Sequence, residues 1–400
     1  MNTQHVHETL VRDLKLSSLL EITQAINANL PEASLYKIFQ FTLLANLSVT
    51  KLALFVKDDS WMCKVQMGAG RDYQTISLTP QLLAIKVITP ISFEKGKDFS
   101  EFDLVIPIIH KNEVLAFVFI QKQTDKGEID QSFIQTFTNI ILVAIENKKF
   151  ARRELKQEAL KKEMQIAREV QNNLFPKDLP ATDKISIKSF YMPHQSIGGD
   201  YYDYIEIDTE RSLVCIADVS GKGVPAAILM SNVQAALRTM VRYTTDLNQI
   251  IFQLNDLILK HTKGNKFVTM FVGIVNFSRK ELSYINAGHN IIPLIKEHEV
   301  VLLDKGCTIL GMFEQLPFID VDTVSLEKTN HLFLYTDGLS ECMNESDEEF
   351  ELERILPLVQ LENSVDQDSM IQSVVQATVE FKGIRPYSDD ITILSCNIKF

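Results

Sequence analysis

Between Gly127 and Pro176 the chain contains neither glycine nor proline, and this stretch limits its fold more than any other feature. A helical pattern that resumes at Ile129 can run almost unbroken through ENKKFARRELKQEALKKEMQIAREVQNNLF, because only Gly and Pro carry a large penalty inside a helix. Such a helix reads as a connector between two packed parts. Four hundred residues point the same way, since they exceed the size at which one hydrophobic core keeps growing. Within the connector, Leu160, Met164, Ala167, Gln171 and Leu174 recur at three-four spacing among Lys, Arg, Glu and Gln. This suits a narrow seam against a partner helix in a parallel dimer. The competing reading is a solvated single helix that only spaces two domains.

The segments on either side differ in texture. Apolar residues at helical spacing from Leu14 to Leu30 end at Pro31, a second helical stretch covers Leu35 to Leu47, and strand-like runs follow at Lys51 to Val56, Lys64 to Met67, Phe102 to Ile109 and Val114 to Gln121. This is an α+β pattern. After Pro176 and Pro180, short strands are expected at Ile185 to Tyr191, Tyr201 to Ile207, Ser212 to Asp218, Thr269 to Phe277, Glu281 to Ala287, His331 to Tyr335 and Ile391 to Ile398. Helical patterns at Pro225 to Tyr243, Leu247 to Lys260 and Ser364 to Phe381 interrupt them, so helices flanking a β-sandwich are expected. At 46% hydrophobic, the composition supplies apolar material for two cores.

Composition also excludes several functions. A net charge of −12 without a concentrated basic face argues against a nucleic-acid partner. Five scattered cysteines, Cys63, Cys215, Cys307, Cys342 and Cys396, form no CxxC pair and fit a reducing cytoplasm. The first residues lack the basic-then-apolar order of a secretory signal. Apolar runs such as Ile140 to Ile145 fall far short of the roughly 20 residues that span a bilayer, so no membrane insertion is expected.

Four acidic motifs carry the chemistry: GGDYYD at Gly198 to Asp203, ADVSGKG at Ala217 to Gly223, YTDGLSE at Tyr335 to Glu341 and SDDIT at Ser388 to Thr392. Each is expected where a strand runs into a tight or Gly-containing turn, a rigid way to present a carboxylate oxygen. Several such oxygens suit hard cations such as Mg²⁺ or Mn²⁺. Two cations sharing a carboxylate hold and acidify a water and neutralise charge on a phosphoryl group, so phosphate-ester hydrolysis is implied. Singly, each motif reads as an ordinary turn or cap.

Taken in this order, with AREVQNNLFPKDLP (Ala167 to Pro180), NAGHN (Asn286 to Asn290) and the terminal SDDITIL, the chain from about Glu163 to Phe400 resembles the PPM-type phosphatases of the stage II sporulation protein E-like branch. The resemblance implies a PPM-type β-sandwich and a Mg²⁺- or Mn²⁺-dependent serine/threonine protein phosphatase with two ions, or a third besides. It makes Asp218 the carboxylate bridging both metals, with the carbonyl of Val219 as a further ligand. Asp337 and Asp389 match the remaining carboxylates of the first metal, and Asp200 the acid that orients water on the second. Asp203 and Asp390 rank behind these. Lys222 is read as an exposed turn lysine rather than a phosphate contact, and His289 as structural or phosphate-side. The segment Met164 to Pro180 resembles the family's regulatory element, bearing on the metal-binding turn. A phosphorylated anti-sigma-factor antagonist is the substrate the resemblance implies, in a partner-switching pathway.

Residues 1–148 are similar in element order to a GAF domain, followed by a connector at 149–178 and the phosphatase domain at 179–400. The GAF-like part is small for that fold, so a reduced ligand pocket or a dimerisation role is expected, with a small molecule or protein as its signal. Cys63 is in no chromophore-attachment context, and Trp61 reads as partial core. Two other functions compete. A non-catalytic dimeric signalling module should have lost a metal carboxylate, yet Asp200, Asp218, Asp337 and Asp389 are all present. A nucleotide cyclase is suggested by Gly198 to Asp200 alone, but Tyr201 and Tyr202 follow where that family has an acidic residue and Phe.

Overall fold

The computed structural model describes residues 3–47, 49–94, 97–110, 112–121, 130–360 and 366–400. The chain divides into two compact units, Met1–Glu158 and Ala159–Phe400.

In the first unit, α1 (Thr3–Asn27) and α2 (Glu32–Leu47) precede strands β1 (Lys51–Lys57) and β2 (Trp61–Met67). A short helix α3 (Pro80–Leu83) and strands β3 (Thr89–Pro90), β4 (Leu104–His110) and β5 (Glu113–Gln121) follow, before the 42-residue helix α4 (Gln131–Asn172) leads out. The antiparallel sheet runs β2-β1-β5-β4-β3. Successive strand residues point to opposite faces, so Leu52, Leu54 and Val56 pack with Phe39, Phe137 and Ile141 from the helices, while Ala53 and Phe55 join a second cluster. That second cluster is aromatic: Tyr73, Phe99, Phe102, Phe117 and Phe119 are each almost fully buried, and Trp61 lies 5.1 Å from the Phe117 ring. This face of the sheet is filled by side chains, and Trp61 is partial core as its sequence context suggested. The start of α4 expected at Ile129 lies outside the described residues.

The second unit is a sandwich of two antiparallel-rich sheets. One runs β13-β10-β9-β8-β7, with β14 also on β10; the other runs β12-β11-β15-β16-β6. Their ranges are β6 (Ile185–Met192), β7 (Tyr201–Glu206), β8 (Arg211–Val219), β9 (Val268–Asn276), β10 (Glu281–Ala287), β11 (Ile292–Lys296), β12 (Val300–Leu303), β13 (Gly306–Cys307), β14 (Asp322–Ser325), β15 (Thr329–Tyr335) and β16 (Ile391–Lys399). Helices α5 (Val224–Met240) and α6 (Leu247–Thr262) cover the first sheet; α7 (Asp337–Ser340), α8 (Glu351–Val359) and α9 (Gln367–Lys382) lie on the side of the second. Because both faces of the central strands are covered, β8 is buried from Ser212 through Ala217 and β16 from Ile391 through Cys396, without polar alternation. The expected α+β sandwich flanked by helices is present. Strands β11 to β14 and helices α7 and α8 were not anticipated, and the expected start of the last helix at Ser364 lies outside the described residues.

Candidate active site

The two sheets deliver their acidic residues to one end of the sandwich. Asp218 is the penultimate residue of β8, opposite Thr269 of β9, and Asp337 opens α7 directly after β15. Asp200 and Asp389 depart from the expected pattern of carboxylates at strand ends: both sit in loops that lead into strands, β7 and β16. Antiparallel neighbours put the start of one strand beside the end of the next, so the two placements converge as well as four strand ends would. The close approach depends on Gly338, whose Cα lies so near the Asp390 carbonyl that a Cβ would collide with it.

Asp200 is the deepest of the four, only 1% exposed. Its Oδ2 accepts hydrogen bonds from the hydroxyls of Thr336 (2.8 Å) and Thr392. The Thr336 hydroxyl in turn accepts the Thr392 amide at 3.0 Å, so two strands of the second sheet hold a carboxylate that belongs to the first. The carbonyl of Val219 faces the same loop, where a Cβ on Gly199 would come within 2.8 Å of it.

Burial and mutual repulsion set the electrostatics. Burial, then Asp218 and Asp390, push the Asp200 carboxyl well above the usual range. Burial and the charge of Asp337 push Asp218 up to about 7, against a hydrogen bond from Asp200. Asp337 is pushed up to about 6 by burial, then by Glu341 and Asp389. A second acid of the YTDGLSE motif thus adds to the field. One cation answers it: Lys222 pairs with Asp389 Oδ2 at 2.8 Å and also donates to the Ser388 carbonyl. Lys222 is therefore engaged with the acidic loop rather than free in its turn.

Among the described residues, no three carboxylate, imidazole or thiol groups close around one point as a finished metal cage. The donor set nonetheless fits hard divalent cations. Its atoms are carboxylate and carbonyl oxygens, and among the described residues their charge is offset by one ion pair, Lys222 with Asp389.

The mutual repulsion of these carboxylates has a measurable consequence. Carboxyl groups raised from about 4 to between 6 and 7 bind more protons folded than unfolded, so their stabilisation of the metal-free protein is lost as pH climbs through that window. The metal-free Tm is expected to fall by roughly 5–10 °C between pH 5.5 and 8, and added Mn²⁺ to restore more at pH 8 than at pH 5.5. Thermal scans with and without chelator check this; equal Mn²⁺ shifts at both pH values would contradict it.

The remaining candidates have structural duties. Asp203 is fully buried in a two-point ion pair with Arg238 (2.7 and 2.8 Å) and accepts the Tyr201 hydroxyl at 2.5 Å. Asp390 receives the amides of His194 and Gly199, both at 2.7 Å, and so shapes the loop before Asp200. His289 is buried between the Thr269 hydroxyl (2.8 Å) and the Tyr335 carbonyl (3.0 Å). A carbonyl only accepts, so Nε2 carries the proton and Nδ1 accepts from Thr269; burial lowers the imidazole to about 4 and keeps it neutral. It ties the strand beside Asp218 to the residue before Thr336.

The seam assigned to α4 is corrected at three positions. Gln171 is only 4% exposed; its amide nitrogen donates to the Gly198 carbonyl at 2.7 Å and its oxygen accepts the Gly198 amide at 3.2 Å. Leu174 packs on the sandwich core, and Met164 lines a cavity of about 380 Å³ with Gln195, Ser196, Ile197, Gly223 and Val224. The end of α4 therefore grips the loop carrying Asp200. A roomier groove of about 640 Å³ between α5 and α6 is lined by residues such as Ala235, Thr239 and Leu257 with no carboxylate, and is not the acidic site.

Residues 208–399 match the family model described as Stage II sporulation protein E (SpoIIE). The phosphoserine phosphatase RsbU of Bacillus subtilis (strain 168) is 29% identical over 192 residues, covering 48% of this chain and 57% of RsbU. The phosphoserine phosphatase RsbP of the same organism is 26% identical over 188 residues, covering 45% of this chain and 46% of RsbP. The chain thus spans about half the length of these curated relatives. Among solved structures, the SiaA-PP2C domain of Pseudomonas aeruginosa matches with a TM-score of 0.54 at 22% identity, over 61% of this chain and 98% of that domain.

Proposed function

We propose that this chain, whose residues 208–399 match the SpoIIE family model, is a metal-dependent serine/threonine protein phosphatase acting in the cytoplasm on a phosphorylated regulatory protein, an anti-sigma-factor antagonist in a partner-switching pathway. The observation that carries the reading is the meeting of Asp200, Asp218, Asp337 and Asp389, from four separate motifs, at one end of the sandwich. Asp218, Asp337 and Asp389 with the Val219 carbonyl would hold one Mg²⁺ or Mn²⁺. Asp218 would also help to hold a second ion, and Asp200 would orient water beside it. The ions supply charge neutralisation and an acidified water. The protein's own part is to fix the carboxylates: Thr336 and Thr392 aim Asp200, Asp390 and Gln171 set the loop before it, and His289 holds the strands on either side. RsbU and RsbP bear the name phosphoserine phosphatase, which supports the same substrate class here.

Regulation is part of the proposal. The N-terminal unit, GAF-like in element order, acts through α4, whose clasp on Gly198 lies two residues from Asp200. A second copy would pair along α4, where Leu160 of the three-four seam is exposed. Among the described residues no helix is long and apolar enough to cross a membrane.

The test is hydrolysis of a phosphoserine peptide and of p-nitrophenyl phosphate by the full chain with Mn²⁺, Mg²⁺ or chelator. Turnover is expected with either ion and none with chelator. Gln171→Leu strips both hydrogen bonds from the buried Gly198 backbone and is expected to change kcat about tenfold while lowering the metal-free Tm by roughly 4–8 °C. Metal-independent hydrolysis would sink the mechanism, and an unchanged kcat in Gln171→Leu would sink the coupling. Sedimentation across a concentration series tests the dimer.

A further inference from the structure

The metal-facing turn Ser220 to Gly223 has a second lysine against it besides Lys222, supplied from the loop between α6 and β9. The backbone around Lys266 is held in place: the Phe267 amide donates to the Ser220 hydroxyl and the Phe267 carbonyl accepts the Ser220 amide, both at 2.9 Å, while the Lys266 carbonyl accepts the Thr262 hydroxyl at 3.2 Å. The half-buried side chain reaches back to place its amine on Gly221, in the space a Cβ would fill there. Gly221 has φ +91°, so both its backbone and this amine exclude a side chain.

The two lysines differ in what they meet. Lys222 is engaged with Asp389 and the Ser388 carbonyl. Among the described residues no carboxylate pairs with the Lys266 amine, in a chain with 52 acidic residues to choose from. The turn it covers leads into α5, whose Gly223 cap offers no side-chain acceptor and whose first turn holds no acid. Among the described residues the Lys266 amine, set against Gly221 three residues beyond Asp218, thus has no ion-pair partner.

We infer that the Lys266 amine binds an oxyanion of the substrate, either a phosphate oxygen or a carboxylate next to the phosphorylated residue. The inference rests on the phosphatase reading above and adds a substrate contact that none of the acidic motifs contains. A half-buried ammonium held against a glycine, with no carboxylate partner among the described residues, binds such an oxygen as a point charge.

The experiment uses the full chain with Mn²⁺, comparing wild type, Lys266→Met and Lys266→Arg on p-nitrophenyl phosphate, a phosphoserine peptide with acidic neighbours and one with neutral neighbours. Lys266→Met should raise KM about tenfold, the loss of one charge-assisted hydrogen bond. kcat should stay within about twofold, Lys266→Arg should recover most of the loss, and the Mn²⁺-induced Tm shift should match wild type. A KM rise on all three substrates assigns the phosphate oxygen; a rise confined to the acidic peptide assigns the neighbouring carboxylate. Unchanged KM on every substrate overturns the inference, as does a joint loss of kcat and Mn²⁺ shift that Arg fails to rescue, which marks a purely structural lysine. If wild type shows no metal-dependent turnover, the phosphatase reading fails on its own. Calorimetric binding of inorganic phosphate then decides Lys266: weaker binding in Lys266→Met supports it, and equal binding overturns it.

Discussion

Asp218→Asn is expected to lower metal-dependent turnover by on the order of 10³-fold or more while leaving the protein folded. The substitution keeps volume and shape at the end of β8 but removes the charge that faces Asp200, Asp337 and Asp389 together. A carboxylate shared by two cations contributes several kcal/mol of charge stabilisation as the phosphoryl group reacts, and each 1.4 kcal/mol is about tenfold in rate. Stability should move the other way. Asp218 is pushed up to about 7 because it is buried among like charges, so a neutral amide relieves repulsion in the metal-free protein at pH 8. Turnover and Tm measured with Mn²⁺ and with chelator separate the two effects: a chelated variant at least as stable as wild type, with its Mn²⁺ shift reduced, is the expected pair. Activity within tenfold of wild type would remove Asp218 from the centre of the mechanism.

Arg238→Met is expected to destabilise the second unit by about 3 kcal/mol, or roughly 6–12 °C in Tm. The reason is asymmetry. Asp203 is 0% exposed while Arg238 is partly open to solvent, so removing the arginine leaves a buried carboxylate with only the Tyr201 hydroxyl and the Tyr204 amide. Methionine retains most of the stem's packing, which isolates the charge effect. The double variant Arg238→Met, Asp203→Leu should recover most of the loss, because no unpaired charge remains. If the single variant melts within about 2 °C of wild type, the pair is ornamental. A full loss of metal binding in Asp203→Asn would instead return Asp203 to the acidic site.

These two aspartates show where reading the chain from its residues succeeds and where it stops. GGDYYD contains both Asp200 and Asp203, three residues apart on the same loop and strand. Local sequence treats them alike, although the resemblance ranks Asp200 first. What separates them is distant in the chain: Thr336 and Thr392 converge on Asp200, while Arg238 claims Asp203. The two threonines were visible inside YTDGLSE and SDDIT, next to the acids that drew attention, and their hydroxyls were the missed signal. Arg238 and Lys266 had no such signal, since each lies outside every motif.

The connector teaches the same point about periodicity. The absence of Gly and Pro from 128 to 175 settles that a long helix exists, because helix continuity is decided locally by propensity and unbroken backbone bonding. Three-four spacing shows which residues share a face, but not what that face meets. Gln171, a weak point in a dimer seam, is the buried clasp on Gly198.

Length, pattern and local propensity thus determined two α+β units, the helix between them and the four acidic turns, since these depend on residues near one another in the chain. Tertiary structure alone decided which acids meet, which are consumed by partners, and which cations remain available. Those are properties of side chains from 35 to 192 residues apart in the chain, and in a buried site a charge is governed by whatever lies within a few ångströms of it.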